Sequence, residues 1–225
     1  MVWQIFPGMA PDGYITDPQG RIRPRHNRKG GKAVVAALAV GALAAGGTGL
    51  TTGGGTAGGS ATSAHGKSAG KDAARKGQRG EAWKRIGLRQ LRQTAHAATA
   101  CGSHSYGQVQ QFFRKHPCRK LDRLLLAIGD TRGNTVVVSI AWVRMPTAST
   151  AAELKELADT DGTGNVEPLA AGALGLAGVE FTGQYYGSRR DGSLVVIAEA
   201  APGGGRPDPA AMDDAAEVAA EFPPP

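Results

Sequence analysis

Hydrophobic positions divide this chain near residue 100. Beyond it they follow strand and helix periods, and they predict seven elements. Val109, Phe112, Phe113 and His116 recur at i, i+3, i+4 and i+7, the spacing of an amphipathic helix. Ser105-Tyr-Gly-Gln108 reads as its capping box, and Pro117 limits it. The runs LDRLLLAIGD and NTVVVSIAWVRMP predict two strands joined by a turn at GDTRGN. Both faces of the second are apolar, as expected of a central strand. Thr150-Ala-Ala-Glu153 reads as a second capping box, opening a helix that buries Ala151, Leu154, Leu157 and Ala158. Val179, Phe181 and Tyr185 alternate with Glu180, Thr182 and Gln184, predicting a half-exposed strand. Ser188–Ser193 is a hairpin turn, and SLVVIAEA is the return strand. Asp208 and Pro209 open a last helix with Met212, Ala215, Ala219 and Phe222 on one stripe.

The order is αββαββα, and the expected fold class is α+β. It is a two-layer sandwich, a four-stranded antiparallel sheet with helices on one face, spanning residues 101–225. Val136, Val138, Ile140, Trp142, Phe181, Val196, Phe112, Leu154 and Phe222 are the expected core.

Upstream the periodicity fades. Ala33–Gly66 holds no Lys, Arg, Asp or Glu. A membrane-spanning helix needs about 20 mostly apolar residues, and Ala33–Leu50 supplies 18. Arg21, Arg23, Arg25, Arg28, Lys29 and Lys32 precede it, and no charge follows until Lys67. Lys and Arg stay on the cytoplasmic side, so the expectation is a single-pass signal anchor, N-terminus inside and the C-terminal domain extracytoplasmic. A cleaved signal and a soluble Ala/Gly-rich linker are the alternatives; the 32-residue leader is long for a signal peptide. The predicted organisation is a disordered basic tail at 1–32, the anchor at 33–50, a low-complexity tether at 51–80 and a basic helix or stalk at 81–100. In the last, Trp83, Ile86, Leu91 and Ala95 share one side, and Gly87 weakens the helix.

Charge sharpens this division. The net +7 comprises +4 over residues 1–32, +11 over 66–124 and −8 over 125–225. The basic neck is expected either to stay solvated and extended or to meet anionic lipid or cell-wall polymer. An unidentified protein partner is also expected, and nucleic acid is not.

Cys101 and Cys118 are the only cysteines, 17 residues apart. In an exported domain the simplest reading is a disulfide. Weaker alternatives are a zinc site of Cys101, His104, His116 and Cys118 and a catalytic thiol. Asp159, Asp161, Thr163 and Glu167 resemble the start of a calcium loop, but position 12 is Ala170 where an EF-hand has Glu. A plain turn is the alternative. Arg189 and Arg190 at the hairpin tip, with Tyr186 beside them, are candidate ligand contacts. There is no G-x-S-x-G, H-E-x-x-H, P-loop or Rossmann fingerprint, and no cofactor is expected.

Basic tail, single anchor, low-complexity tether and a small domain with the pair Cys101…His116-Pro-Cys118 together resemble uncharacterised actinobacterial membrane-anchored envelope proteins. The resemblance is architectural and implies no activity. The expected function is a membrane-tethered, non-enzymatic extracytoplasmic binding domain; the alternative is an exported hydrolase or redox enzyme without a recognised motif.

Overall fold

Two strands of ten residues each, apolar on both sides, can be stable only in the middle of a covered sheet. That is where they lie in the computed structural model, which describes residues 14–16, 22–24 and 58–225, with side chains from residue 65 onward. The sheet has five strands: β1 (Arg89–Ala98), β2 (Lys120–Gly129), β3 (Thr135–Arg144), β4 (Tyr185–Asp191) and β5 (Leu194–Gly204). Their spatial order is β1-β2-β3-β5-β4, and every neighbouring pair is antiparallel. The helices are α1 (Gly58–Arg75), α2 (Arg79–Arg85), α3 (Gly107–Lys115), α4 (Ala148–Ala158) and α5 (Pro209–Ala219). The α+β class stands, with five strands in place of the expected four.

Helices cover both faces, which corrects the two-layer expectation. On the α5 face, Leu124, Ile128, Val138, Ile140, Trp142 and Val196 pack with Trp83 of α2 and Met212 and Phe222 at the C-terminus. On the α4 face, Leu121, Val143, Val195 and Ile197 pack with Val109 and Phe113 of α3 and Leu154 of α4. The rest of that face, Leu125, Ala127 and Val137, lies under the long connection from α4 to β4, through Leu174, Val179 and Phe181. Val179–Gln184 is therefore a cover, and its strand starts only at Tyr185. Of the expected core, Phe112 and Phe181 are half-buried and the other seven are buried.

The expected tether and stalk are revised most. Residues 58–75 form α1, and its Ala73 and Ala74 share a core with Ala82 and Trp83. The Gly residues of α1 allow a close helix crossing. A Cβ at Gly66 would stand 2.7 Å from the Arg85 carbonyl oxygen, and one at Gly70 would stand 3.3 Å from side-chain atoms of Ile86 and Val218. The expected helix over 81–100 stops at Arg85, because Gly87 adopts a φ of +75°. The chain then pairs along β2 as the edge strand β1, with a bulge at Leu91.

Local caps follow the same pattern of small shifts. Asp208 caps α5 through the Ala210 amide, as expected. Helix α4 starts one residue-triplet early, on a reciprocal Thr147–Thr150 cap. Ser105 does not cap α3; its hydroxyl donates to the Cys101 carbonyl at 2.9 Å. The apolar segment Ala33–Leu50 lies outside the described residues, and no helix among those described is long and apolar enough to cross a membrane.

Candidate functional site

Most of the residues singled out by sequence have structural work in the fold. Cys101 and Cys118 form a disulfide with their Cα atoms 6.0 Å apart, tying the turn after β1 to the start of β2. His104 and His116 part company: the His104 ring stands edge-on to His96, with centroids 6.1 Å apart, while the His116 ring lies against Phe112 at 4.8 Å. Among the described residues, no group of three or more His, Cys, Asp or Glu is placed to hold a metal ion.

The Asp159–Glu167 segment is a lock between α4 and the sheet. The Asp159 carboxylate accepts from Tyr186 Oη at 3.1 Å, Ser188 Oγ at 2.5 Å and Lys155 Nζ at 2.5 Å. Thr163 Oγ donates to the Leu157 and Thr160 carbonyls, turning its oxygen into the segment. Asn165 Nδ2 donates to the buried Glu199 carboxylate, while Asn165 Oδ1 accepts from the Val166 amide at 2.8 Å. Gly164, at φ +93°, crosses Gly107 so closely that a Cβ on it would collide with the Tyr106 carbonyl.

The three expected ligand contacts reach separate surroundings. Burial, then the Asp159 and Glu199 charges, push the Tyr186 phenol well above its ordinary pKa, so it remains a proton donor inside the lock. Arg189 Nε donates to the Ala220 carbonyl at 3.1 Å and lies 3.4 Å from Glu221, fastening β4 to the end of α5. Only Arg190 stays exposed, at the hairpin tip, with Nη1 on the Gly192 carbonyl.

Arg190 belongs to an end of the sheet that is strongly basic. The ladder there runs Asp191–Leu194–Arg144–Lys120, so that Lys120 and Arg144 stand directly opposite one another. The Arg119 amide donates to the Arg144 carbonyl at 2.7 Å. Helix α3 ends into the same loop with Arg114 and Lys115, all within Arg-Lys-His-Pro-Cys-Arg-Lys. Arg114, Lys115, Arg119, Lys120 and Arg144 are exposed. Lys120 meets Asp122 at 2.9 Å, and Arg114 reaches Gln110, whereas Lys115, Arg119 and Arg144 have no acidic partner among the described residues. Like charges opposed across a ladder are destabilising. The cystine adds covalent closure where electrostatics push apart.

At one pocket on the α5 side charge is matched. An open pocket of about 490 Å³ is lined by Arg85, Asp130, Arg132, Asp208 and Asp214 among others. There Arg85 pairs with Glu81, Arg132 with Asp130 and Asp214 with Lys67, while Asp208 caps α5. Sequence flagged a basic neck but not this end, because Arg144 and Arg190 join Arg114–Lys120 only through sheet register. No protein family, curated protein or solved structure matches the chain.

Proposed function

We propose that this chain is an extracytoplasmic binding domain, tethered through Ala33–Leu50, that docks the basic end of its sheet onto an anionic polymer of the cell envelope. The observation that carries this is the group Lys115, Arg119 and Arg144, without acidic partners among the described residues, with Lys120 opposed to Arg144 in register. The disulfide supports an oxidising location. A polymer fits better than a lipid surface. Interfacial docking buries apolar side chains, and the exposed large apolar residue among those described, Leu91, lies towards the opposite end, near Gly129. The architecture of tail, anchor and small cystine-bearing domain is the one that resembles actinobacterial envelope proteins.

Long-chain polyphosphate is the probe, with phosphatidylglycerol vesicles as the comparison. Binding should weaken linearly in log K against log salt, as expected when cations release condensed counterions. Replacing Lys115, Arg119 and Arg144 together by Gln should abolish most binding, whereas Arg132→Gln should leave it intact. Equal binding by the triple variant would refute the assignment, and preference for vesicles would replace the polymer by a membrane. A periplasm-type reporter fused after Pro225 tests the topology separately.

A further inference from the structure

Among the described residues Arg123 is the one buried arginine, and its position calls for an explanation that packing does not supply. It is 7% exposed and lies on the α4 face between Leu121 and Leu125. Its neighbour on β3 is Ala141, and its partner across β1 is His96. Nη1 donates to the Glu167 carbonyl at 3.1 Å, while Nε is buried without a hydrogen-bond partner among the described residues. A leucine or methionine would fill this place without desolvating a cation, and such replacements are commonly neutral or stabilising. Above it stand two imidazoles, His96 on the edge strand and His104 on the turn that carries Cys101, with centroids 6.1 Å apart. The Glu167 amide holds the His104 carbonyl at 2.7 Å, so the turn, the connection and both strands converge on one spot.

We propose that Arg123, His96 and His104 form a niche for a small oxyanion of the sulfate or phosphate-ester class. The guanidinium supplies a planar fork for oxygen, and each imidazole adds a donor when protonated. The groups facing the niche are Arg123 from β2, His96 from β1, His104 from the turn and Glu167 from the connection. Burial, followed by Arg123 and then His96, lowers the His104 pKa, and Glu167 acts in the opposite direction. An anion placed among them reverses that balance and favours the imidazolium forms. Binding should therefore tighten as the pH falls from about 8 to 5, the range over which histidine changes charge. The niche is independent of the docking surface proposed above, because neither Lys115, Arg119 nor Arg144 contributes to it.

The test is a histidine NMR titration of the full-length chain in sodium sulfate, with sodium chloride of equal ionic strength as reference. Sulfate keeps its charge over this range, so only the protein titrates. The expected result is a rise in the His104 midpoint by roughly one pH unit, equivalent to about tenfold tighter binding to the protonated form. His116, which lies against Phe112, serves as the internal control. Arg123→Gln should cancel the sulfate effect, and Arg123→Lys, which keeps charge but not the fork, should lose most of it. The Lys115, Arg119 and Arg144 triple variant should retain it, which separates the niche from the basic end. The proposal is overturned if sulfate moves the His104 midpoint no more than chloride, or moves it equally in a folded Arg123→Gln protein. Should Arg123 variants fail to fold, His96→Gln on the exposed strand carries the same decision: loss of the sulfate response at His104 supports the niche, and its persistence at full size overturns it.

Discussion

The contact between α1 and α5 and the basic end of the sheet treat their cations in opposite ways. Along α1, Lys67, Lys71 and Arg75 recur every four residues, and each meets an acid from α5 or the residues just after it. Lys67 lies 2.7 Å from Asp214, Lys71 lies 2.5 Å from Glu217, and Arg75 holds both Glu221 oxygens, at 2.9 and 3.0 Å. The partners are about 150 residues apart in sequence. At the basic end, Lys115, Arg119 and Arg144 have no such acids among the described residues, and Lys120 opposes Arg144. A +11 segment and a −8 segment therefore do not make a basic neck and an acidic domain. They cancel where α1 meets α5, and at the basic end of the sheet residues of both blocks come together without such cancellation.

The comparison breaks first if α1 and α2 are only a tether. Trp83→Ala removes a fully buried ring that meets Phe222 edge-on at 5.2 Å. It should cost about 3–5 kcal/mol, read from urea denaturation; a stability unchanged within error would mean that the domain starts after residue 100. Replacing Cys101 and Cys118 together by Ala should cost about 3 kcal/mol for a loop of this size. If the basic end strains against its own charge, added salt should restore more stability to this variant than to the parent, which thermal melts at low and high salt would show.

The clamp between α1 and α5 should be weaker and pH-dependent. Burial acts against the Glu217 carboxylate, but Lys71 and Lys67 outweigh it and hold its pKa below the usual value. Its contribution is then complete above the unfolded value of about 4.3 and is lost as the pH falls through the lower folded value. Burial likewise acts against Lys67, and Asp214 and Glu217 outweigh it and raise its pKa. That contribution is complete below about 10.4 and is lost as the pH rises through the folded value. Glu217→Gln should cost roughly 0.5–1 kcal/mol near neutrality, because the pairs are partly exposed, and should flatten the acid limb of Tm against pH. The smallest effect has the opposite sign. Arg144→Thr relieves the like-charge opposition and should stabilise the fold by about 0.2–1 kcal/mol while weakening polyphosphate binding. A loss on both measures would show that Arg144 serves the fold.

Sequence patterns made the strands legible where burial was complete and period unambiguous. Val136 to Val143 is apolar at every position but Ser139, and it became the central strand. The same run already required cover on both faces, a consequence that a two-layer arrangement could not meet. The residues around Gly66 and Gly70 read as low complexity, although their four-residue spacing, continued by Ala73 and Ala74, is a signal for close helix packing. Strand β1 carried little signal of its own. Arg89–Ala98 is exposed along most of its length and takes its conformation from the free edge of β2. The disulfide followed from composition, while the bond from Tyr186 to Asp159, 27 residues away, left no mark in the local pattern.

The chain by itself determined what is set by neighbours in sequence: strand faces, the hairpin at Gly192, the Asp208–Pro209 helix start and the pairing of the only two cysteines. Tertiary structure alone decided which cations keep their charge unmatched and which arginine is buried. The reason is physical. Apolar periodicity repeats within a few residues, whereas electrostatic compensation depends on distances between side chains that only the register of the sheet and the docking of α1 on α5 establish.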